Sequence, residues 1–271
     1  MKHILITGAY GGMGRAAVAA FREAGYFVFA LDKKVEEAVE GVCPIEYDAT
    51  DPASVERAFS IVKSQTEHLD SILHFAGIYT LNSLVEYTDE AFCRAFEINV
   101  FGVYRVNKAF LPLLGKGSKI IITTSELAPL EPLPFTGLYA ITKSTLDKYA
   151  YSLRMELQLL GVSVVVLRPG AVDTGLLDVS TKALDDFVEN TKLYACNAKR
   201  FKKVVDSVEA RKIPPEKVAK KAVKIAAAKK PKYVYAINRN PLLLLLSILP
   251  KRMQTWVIKK ILKKGRVTEN G

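Results

Sequence analysis

Five short apolar runs, Ile4 to Ile6, Phe27 to Leu31, Ile72 to Phe75, Lys119 to Thr123 and Val162 to Leu167, punctuate this chain, with helical stretches between them. Runs this short, rich in β-branched and aromatic residues, read as strands buried on both faces. Strands that alternate with helices predict an α/β fold, a doubly wound parallel sheet covered by helices. Asp51-Pro52 ahead of the helical period Ser54 to Ile61 marks a helix start, the aspartate as cap and the proline in the first turn.

With 271 residues and 49% hydrophobic composition, the chain can bury a sizeable core, and a single domain over residues 1–271 is expected. Cys43, Cys93 and Cys196 are scattered and lack C-x-x-C spacing, so neither a disulfide framework nor a zinc site is indicated. A reduced, cytoplasmic protein is the expectation. Met1-Lys2-His3 runs straight into the first strand, so no signal peptide is expected. His3, His68 and His74 have no ligand spacing and read as strand-flanking or core residues, so no metal is expected.

Charge changes the picture. Residues 1–150 carry 14 Lys+Arg against 18 Asp+Glu, and residues 151–271 carry 25 against 10, so the net +11 belongs to the C-terminal half. Such an asymmetry fits an acidic partner, an anionic substrate, an anionic membrane or a solvated basic surface. Nucleic acid is not expected, because no reading module accompanies the basic residues.

The chemistry concentrates in three places. Thr7-Gly8-Ala9-Tyr10-Gly11-Gly12-Met13-Gly14 follows the first strand and precedes an alanine-rich helical stretch, where glycines let backbone amides and a helix N-terminus approach a pyrophosphate. Asp32 ends the second strand; a carboxylate there accepts hydrogen bonds from ribose hydroxyls and repels a 2′-phosphate. Lys33 and Lys34 follow it and could pair with that phosphate. Ser125 ends the strand Ile120 to Thr124, and Tyr139 and Lys143 follow at Y-x-x-x-K spacing.

This ordered set resembles the short-chain dehydrogenase/reductase family, over residues 1–175 and more loosely the helix after Pro214-Pro215 and a strand near Tyr233 to Ile237. The resemblance implies a Rossmann-type sheet and a nicotinamide cofactor, NAD in preference to NADP on the strength of Asp32. It places Gly8, Tyr10, Gly12, Met13 and Gly14 along the nucleotide, Asp48 and Ala49 at the adenine, and Ala76 and Gly77 beside the chain of phosphates and riboses. His74-Phe75-Ala76-Gly77 stands where members carry N-N-A-G, which departs at two positions that brace the sheet. Pro169, Gly170, Val172 and Thr174 match P-G-x-V-x-T, whose Val172 backbone and Thr174 would grip the nicotinamide carboxamide. Asn99 would hold a water in a proton relay. Homodimers or homotetramers are the family expectation.

Tyr139 would be the acid/base. Lowering a tyrosine from a pKa of about 10 toward 7 takes about 4 kcal/mol of phenolate stabilisation. A cation about 4 Å away supplies on the order of 4 kcal/mol at an effective dielectric near 20, and Lys143, four residues along a helix, lies on the same face. The resemblance also gives Lys143 the nicotinamide ribose. Ser125 would orient the substrate oxygen. Its separation from Tyr139 is one residue longer than usual, with the loop Pro129 to Pro134 to absorb the difference and Thr124 as the reserve candidate.

Residues 175–212 fall where the family places a substrate lid, with Leu176, Leu177, Phe187 and Tyr194 as apolar anchors. Residues 240–264 join an apolar run, Leu242 to Leu249, to a basic amphipathic stretch, Lys251 to Lys264. The run is too short to span a bilayer. It reads as a flap over the substrate pocket, an arm between subunits or an interfacial membrane helix. The expected reaction is hydride transfer between nicotinamide and a secondary alcohol or ketone of a hydrophobic molecule, with hydroxysteroids, bile acids and retinoid-like alcohols as the leading class. A 3-oxoacyl thioester reductase that docks an acidic carrier protein is the enzymatic alternative. A membrane-associated nucleotide-binding protein without turnover is the alternative of another class.

Overall fold

The computed structural model describes residues 1–209 and 211–263, without the side chains of 175–182 and 206–209. Leu176 and Leu177, as side chains, and Lys264 lie outside what is described. Seven strands form one sheet: β1 (Lys2–Thr7), β2 (Tyr26–Asp32), β3 (Val42–Glu46), β4 (Ser71–His74), β5 (Lys119–Thr123), β6 (Ser163–Pro169) and β7 (Val234–Ile237). Their order is β3-β2-β1-β4-β5-β6-β7, and every pairing is parallel. This is the doubly wound arrangement, whose crevice opens at the carboxyl ends of β1 and β4, where the order reverses.

Ten helices fill the connections and the end of the described chain: α1 (Gly12–Glu23), α2 (Pro52–Lys63), α3 (Asp89–Phe96), α4 (Gly102–Phe110), α5 (Gly137–Leu157), α6 (Gly175–Asn190), α7 (Ala195–Glu209), α8 (Pro215–Ala227), α9 (Pro241–Ile248) and α10 (Lys251–Leu262). Residue alternation explains the two cores. Ile4, Ile6 and Val28 face α1 and α8, where Phe21 and Ile225 meet them. Leu5 and Phe29 point the other way, onto Val55 of α2 and Phe110 of α4. Both sets are fully buried, which is why these strands lack polar alternation. Asp51 caps α2, accepting from the Ala53 amide at 2.9 Å, as the Asp-Pro pair predicts.

The edge strand β3 was not among the expected runs. Pro44 interrupts a five-residue segment, and proline is tolerated in a sheet mainly at an edge. A separate cluster sits above the sheet's carboxyl edge: Leu81, Phe135, Leu184, Phe187, Phe201 and Leu262. It ties the expected lid to α10, so the last described helix lies against α7. Among the described residues no helix is long and apolar enough to cross a membrane.

Candidate active site

The end of β1 turns under severe crowding. Gly8 has φ +68°, and a Cβ there would stand 2.6 Å from the Ala76 nitrogen. A Cβ on Gly12 would stand 2.5 Å from the Thr174 Cβ. The glycines thus let the first loop lie against both the β4 exit and the turn after β6. Gly11 precedes α1 as its N-cap, with no side-chain cap and no acid in the first turn, so the leading amides and positive dipole end are open to an anion. That donor set fits a dinucleotide pyrophosphate.

At the adenosine end, Asp32 accepts the Tyr10 amide through Oδ2 at 2.9 Å and the Lys33 amide through Oδ1 at 2.7 Å. Each oxygen keeps further lone-pair capacity for a ribose hydroxyl. Lys33 is an ion-pair partner of Asp48, Nζ to Oδ2 at 2.7 Å. Asp48 Oδ1 also accepts the Thr50 amide and hydroxyl, both at 2.8 Å. Partial burial works against the Asp48 anion, but Lys33 and Thr50 outweigh it and hold its pKa below the usual carboxylate range. The lysine read as a phosphate partner is therefore engaged with the acid read as an adenine contact. The Ala49 carbonyl accepts from Arg105 at 3.0 Å.

β5 delivers Thr124 and Ser125 to the crevice. The Thr124 hydroxyl donates to Asp147 at 3.2 Å, which leaves Ser125, whose Oγ accepts the Leu127 amide at 3.2 Å, as the strand-end hydroxyl that acts on Tyr139. Between them the chain turns at Phe135, which takes φ 67° and is held by the rings of Phe187, Tyr194 and Phe201 at 4.7 to 5.3 Å. Two of the expected lid anchors, Phe187 and Tyr194, thus grip the loop that carries the extra residue.

Tyr139 and Lys143 lie on one face of α5, with the Lys143 Nζ 5.7 Å from the Tyr139 ring centroid and 3.2 Å from the Thr123 carbonyl. Lys143 is expected to supply much of the phenolate stabilisation; in the protein alone, burial outweighs it. Burial pushes Tyr139 up to about 12, against the nearby Ser125 hydroxyl, which pulls it down. Burial also lowers Lys143 to about 8. Desolvation wins because Lys143 is buried and Tyr139 is partly buried in a mainly apolar cavity wall. The Tyr79 ring packs on Tyr139 at 4.7 Å.

Asn99 falls in a π-helical turn, Glu97–Phe101, between α3 and α4, a distortion that often accompanies functional sites. Its side chain accepts from the Ile78 amide at 2.8 Å and donates to the Ile78 carbonyl at 3.0 Å and to the Thr142 hydroxyl at 3.1 Å. It clamps the strand exit that holds Gly77 to the helix that holds Tyr139. His74 takes up the bracing left open by the departure from N-N-A-G: it is buried, 2.8 Å from Asn107 Oδ1 and 3.5 Å from the Thr7 hydroxyl. Asn107 in turn donates to the Tyr149 hydroxyl at 3.2 Å.

At the end of β6 and just beyond it, Pro169, Gly170, Val172 and Thr174 reach the same crevice. A bridge from Val172 to Ile213 and the ion pair Asp173–Lys212 at 2.8 Å tie this turn to the end of the lid. Ser125, Tyr139 and Lys143 open into a mainly apolar cavity of about 220 Å³, walled by Met13, Phe75, Leu133, Val205 and Leu243. Leu243 belongs to α9, so the tail's apolar run reaches the pocket. Sequence reasoning missed Tyr79 and Glu126 in that wall; neither stands in a motif, and only the neighbourhood of Ser125 could have drawn attention to Glu126. Among the described residues there is no group of side chains able to hold a metal ion.

The short chain dehydrogenase family profile matches residues 2–185. A 3-ketodihydrosphingosine reductase from Bacteroides thetaiotaomicron is 27% identical over 231 residues, 85% of each chain. Mouse estradiol 17-beta-dehydrogenase 2 is 33% identical over 189 residues, 65% of this chain and 49% of that one. Among solved structures, Thermoplasma acidophilum aldohexose dehydrogenase superposes with a TM-score of 0.74 at 20% identity, over 92% of this chain and 96% of that one, a likeness of fold. With a family profile spanning the whole nucleotide crevice and the Tyr139–Lys143 helix, the chain belongs to the short-chain dehydrogenase/reductase family, as an NAD(P)-dependent alcohol dehydrogenase/ketoreductase.

Proposed function

We propose that this enzyme interconverts a ketone and its secondary alcohol on a hydrophobic, lipid-like molecule. The observation that carries this reading is the apolar cavity that opens directly on Ser125, Tyr139 and Lys143. A nicotinamide bound along the Gly8–Gly14 loop and the Pro169–Thr174 turn supplies or accepts the hydride. Ser125 holds the substrate oxygen, and Tyr139 gives it a proton in reduction or removes one in oxidation. Lys143, protonated, offsets charge on the phenolate and reaches the ribose; Asn99 positions both elements and serves the relay. Phe201 and Val205 of the lid and Leu243 of α9 keep water from the reacting atoms. A long-chain lipid ketone fits the pocket and the likeness to the ketodihydrosphingosine reductase. A steroid is the second reading, favoured by the likeness to the estradiol dehydrogenase.

NAD is the proposed cofactor of choice, because Asp32 stands where a 2′-phosphate would go and Lys33 is paired with Asp48. Asp32→Ala is expected to raise kcat/KM for NADPH relative to NADH on the order of tenfold, the factor that ~1.4 kcal/mol carries. An unchanged ratio would remove Asp32 from cofactor selection. The substrate reading is tested by nicotinamide oxidation with a panel of long-chain ketones, keto-steroids, keto-bile acids, retinal and acetoacetyl thioesters. Turnover confined to thioesters would overturn the apolar-ketone reading and make the basic half a carrier-docking face.

For the tail, the proposal is a flap whose outer side rests on an anionic lipid surface. α9 turns Leu242, Leu245 and Ile248 outward, and α10 exposes Met253 and Trp256 among Arg252, Lys259 and Lys260, a composition suited to an interface. A cytoplasmic homodimer or homotetramer, peripheral at the membrane, is the assembly expected, and sedimentation velocity reads its stoichiometry.

A further inference from the structure

Glu126 is a buried carboxylate beside the reacting centre that no step above uses. It follows Ser125, lines the same cavity and is 8% exposed. Its amide donates to the Pro169 carbonyl at 3.0 Å, which fixes it against the turn at Gly170. One carboxylate oxygen, Oε2, accepts the Asn240 amide at 2.6 Å, at the residue whose side chain caps α9. The other, Oε1, lies so near Gly170 that a Cβ there would stand 2.9 Å away. Glu126 has no ion-pair partner among the described residues. Burial raises its pKa, while the Asn240 amide and the charge of Arg239, an exposed residue, pull it down. The other charged side chain of this cavity wall, Lys143, is hydrogen-bonded to Thr123.

A carboxylate in an apolar wall is costly unless something neutralises it. We propose that Glu126 receives an ammonium group that the substrate carries one or two bonds from its ketone, which makes the substrate class long-chain amino ketones. Ser125 and Glu126 are consecutive residues, so their Cα atoms stand about 3.8 Å apart, and an oxygen held by the first brings its neighbouring carbon toward the second. The alkyl chain then follows the apolar wall toward Val205 and Leu243. An anionic group at the same place, as on an α-keto acid, is repelled. This inference rests on the ketoreductase reading and narrows its substrate.

The test compares kcat/KM for a long-chain 2-amino-3-ketone with that for the 3-ketone of equal length lacking the amine, in wild type and Glu126→Gln. Glutamine keeps an oxygen for the Asn240 amide and removes only the charge. Wild type is expected to prefer the amino ketone, and the preference to shrink about 10- to 100-fold in the variant, through KM. In wild type alone, a long-chain alkylamine is expected to inhibit more strongly than the fatty acid of equal length, less so as acid protonates Glu126. A preference that is absent in wild type, or unchanged in a variant that loses both activities together, would reduce Glu126 to a latch for α9 and overturn the inference. Turnover of neither ketone with either cofactor, in a protein that binds NADH, would instead overturn the ketoreductase reading beneath it.

Discussion

At the residue scale the decisive contest is between desolvation and charge. Tyr139, pushed up to about 12 by burial, keeps its proton across the physiological range, and in the proposed reaction it becomes a base only when positive charge accumulates beside it. Lys143 provides that charge below about pH 8 and loses it above. Tyr139→Phe is expected to reduce turnover at least a thousandfold, on the order of 4 kcal/mol of lost barrier stabilisation, while NADH fluorescence titration still shows binding; retained turnover would take Tyr139 out of the chemistry. His74 gives a second prediction. Burial lowers it from 6.5 to about 4, so the unfolded chain binds a proton that the folded chain refuses as pH falls through that window. Stability drops with acid by on the order of 3 kcal/mol between those values. His74→Asn is expected to flatten that part of the pH dependence in urea denaturation. Tyr139, Lys143 and Ser125 were legible because their spacing within one strand and one helix is local. The role of His74 was not, since its partners Thr7 and Asn107 come from elsewhere in the chain.

At the scale of elements, the strands announced themselves and the surface helices did not reveal their contacts. β1, β2, β5 and β6 are unbroken apolar runs because both faces are buried, whereas β3 hid behind Pro44 at the sheet edge. The π-helical turn at Asn99 left no mark in the sequence, because one extra residue in a turn is a response to what packs against it. The tail divides similarly: its amphipathic character is plain in sequence, but its packing through Ile258 and Leu262 onto Phe201 and Tyr194 is not. A chain ending at Asn240 removes those contacts and the Leu243 wall. It is expected to lose activity on long-chain or steroidal ketones far more than on a small ketone. Equal loss on both would count against a flap.

For the whole molecule, charge and apolar surface fall on the same side of the chain. Between Lys217 and Thr268 there is no acidic residue, and the outward leucines of α9 lie in that segment. The protein is expected to sediment with phosphatidylserine vesicles at low salt and to be released by salt, in line with an electrostatic contribution, while the Asn240 truncation stays in solution. Binding to neutral vesicles alone, or none, would leave that face to a subunit contact. The sequence by itself determined the parallel sheet and marked the glycine loop and the trio proposed to react, because these depend on periodicity and short spacing along one strand, loop or helix. Only the tertiary structure decided that Lys33 pairs with Asp48, that Thr124 belongs to Asp147, and that Glu126 of the pocket wall meets Asn240. Those pairs join residues 15 to 114 positions apart, and their energies depend on burial and distance, which chain order does not record.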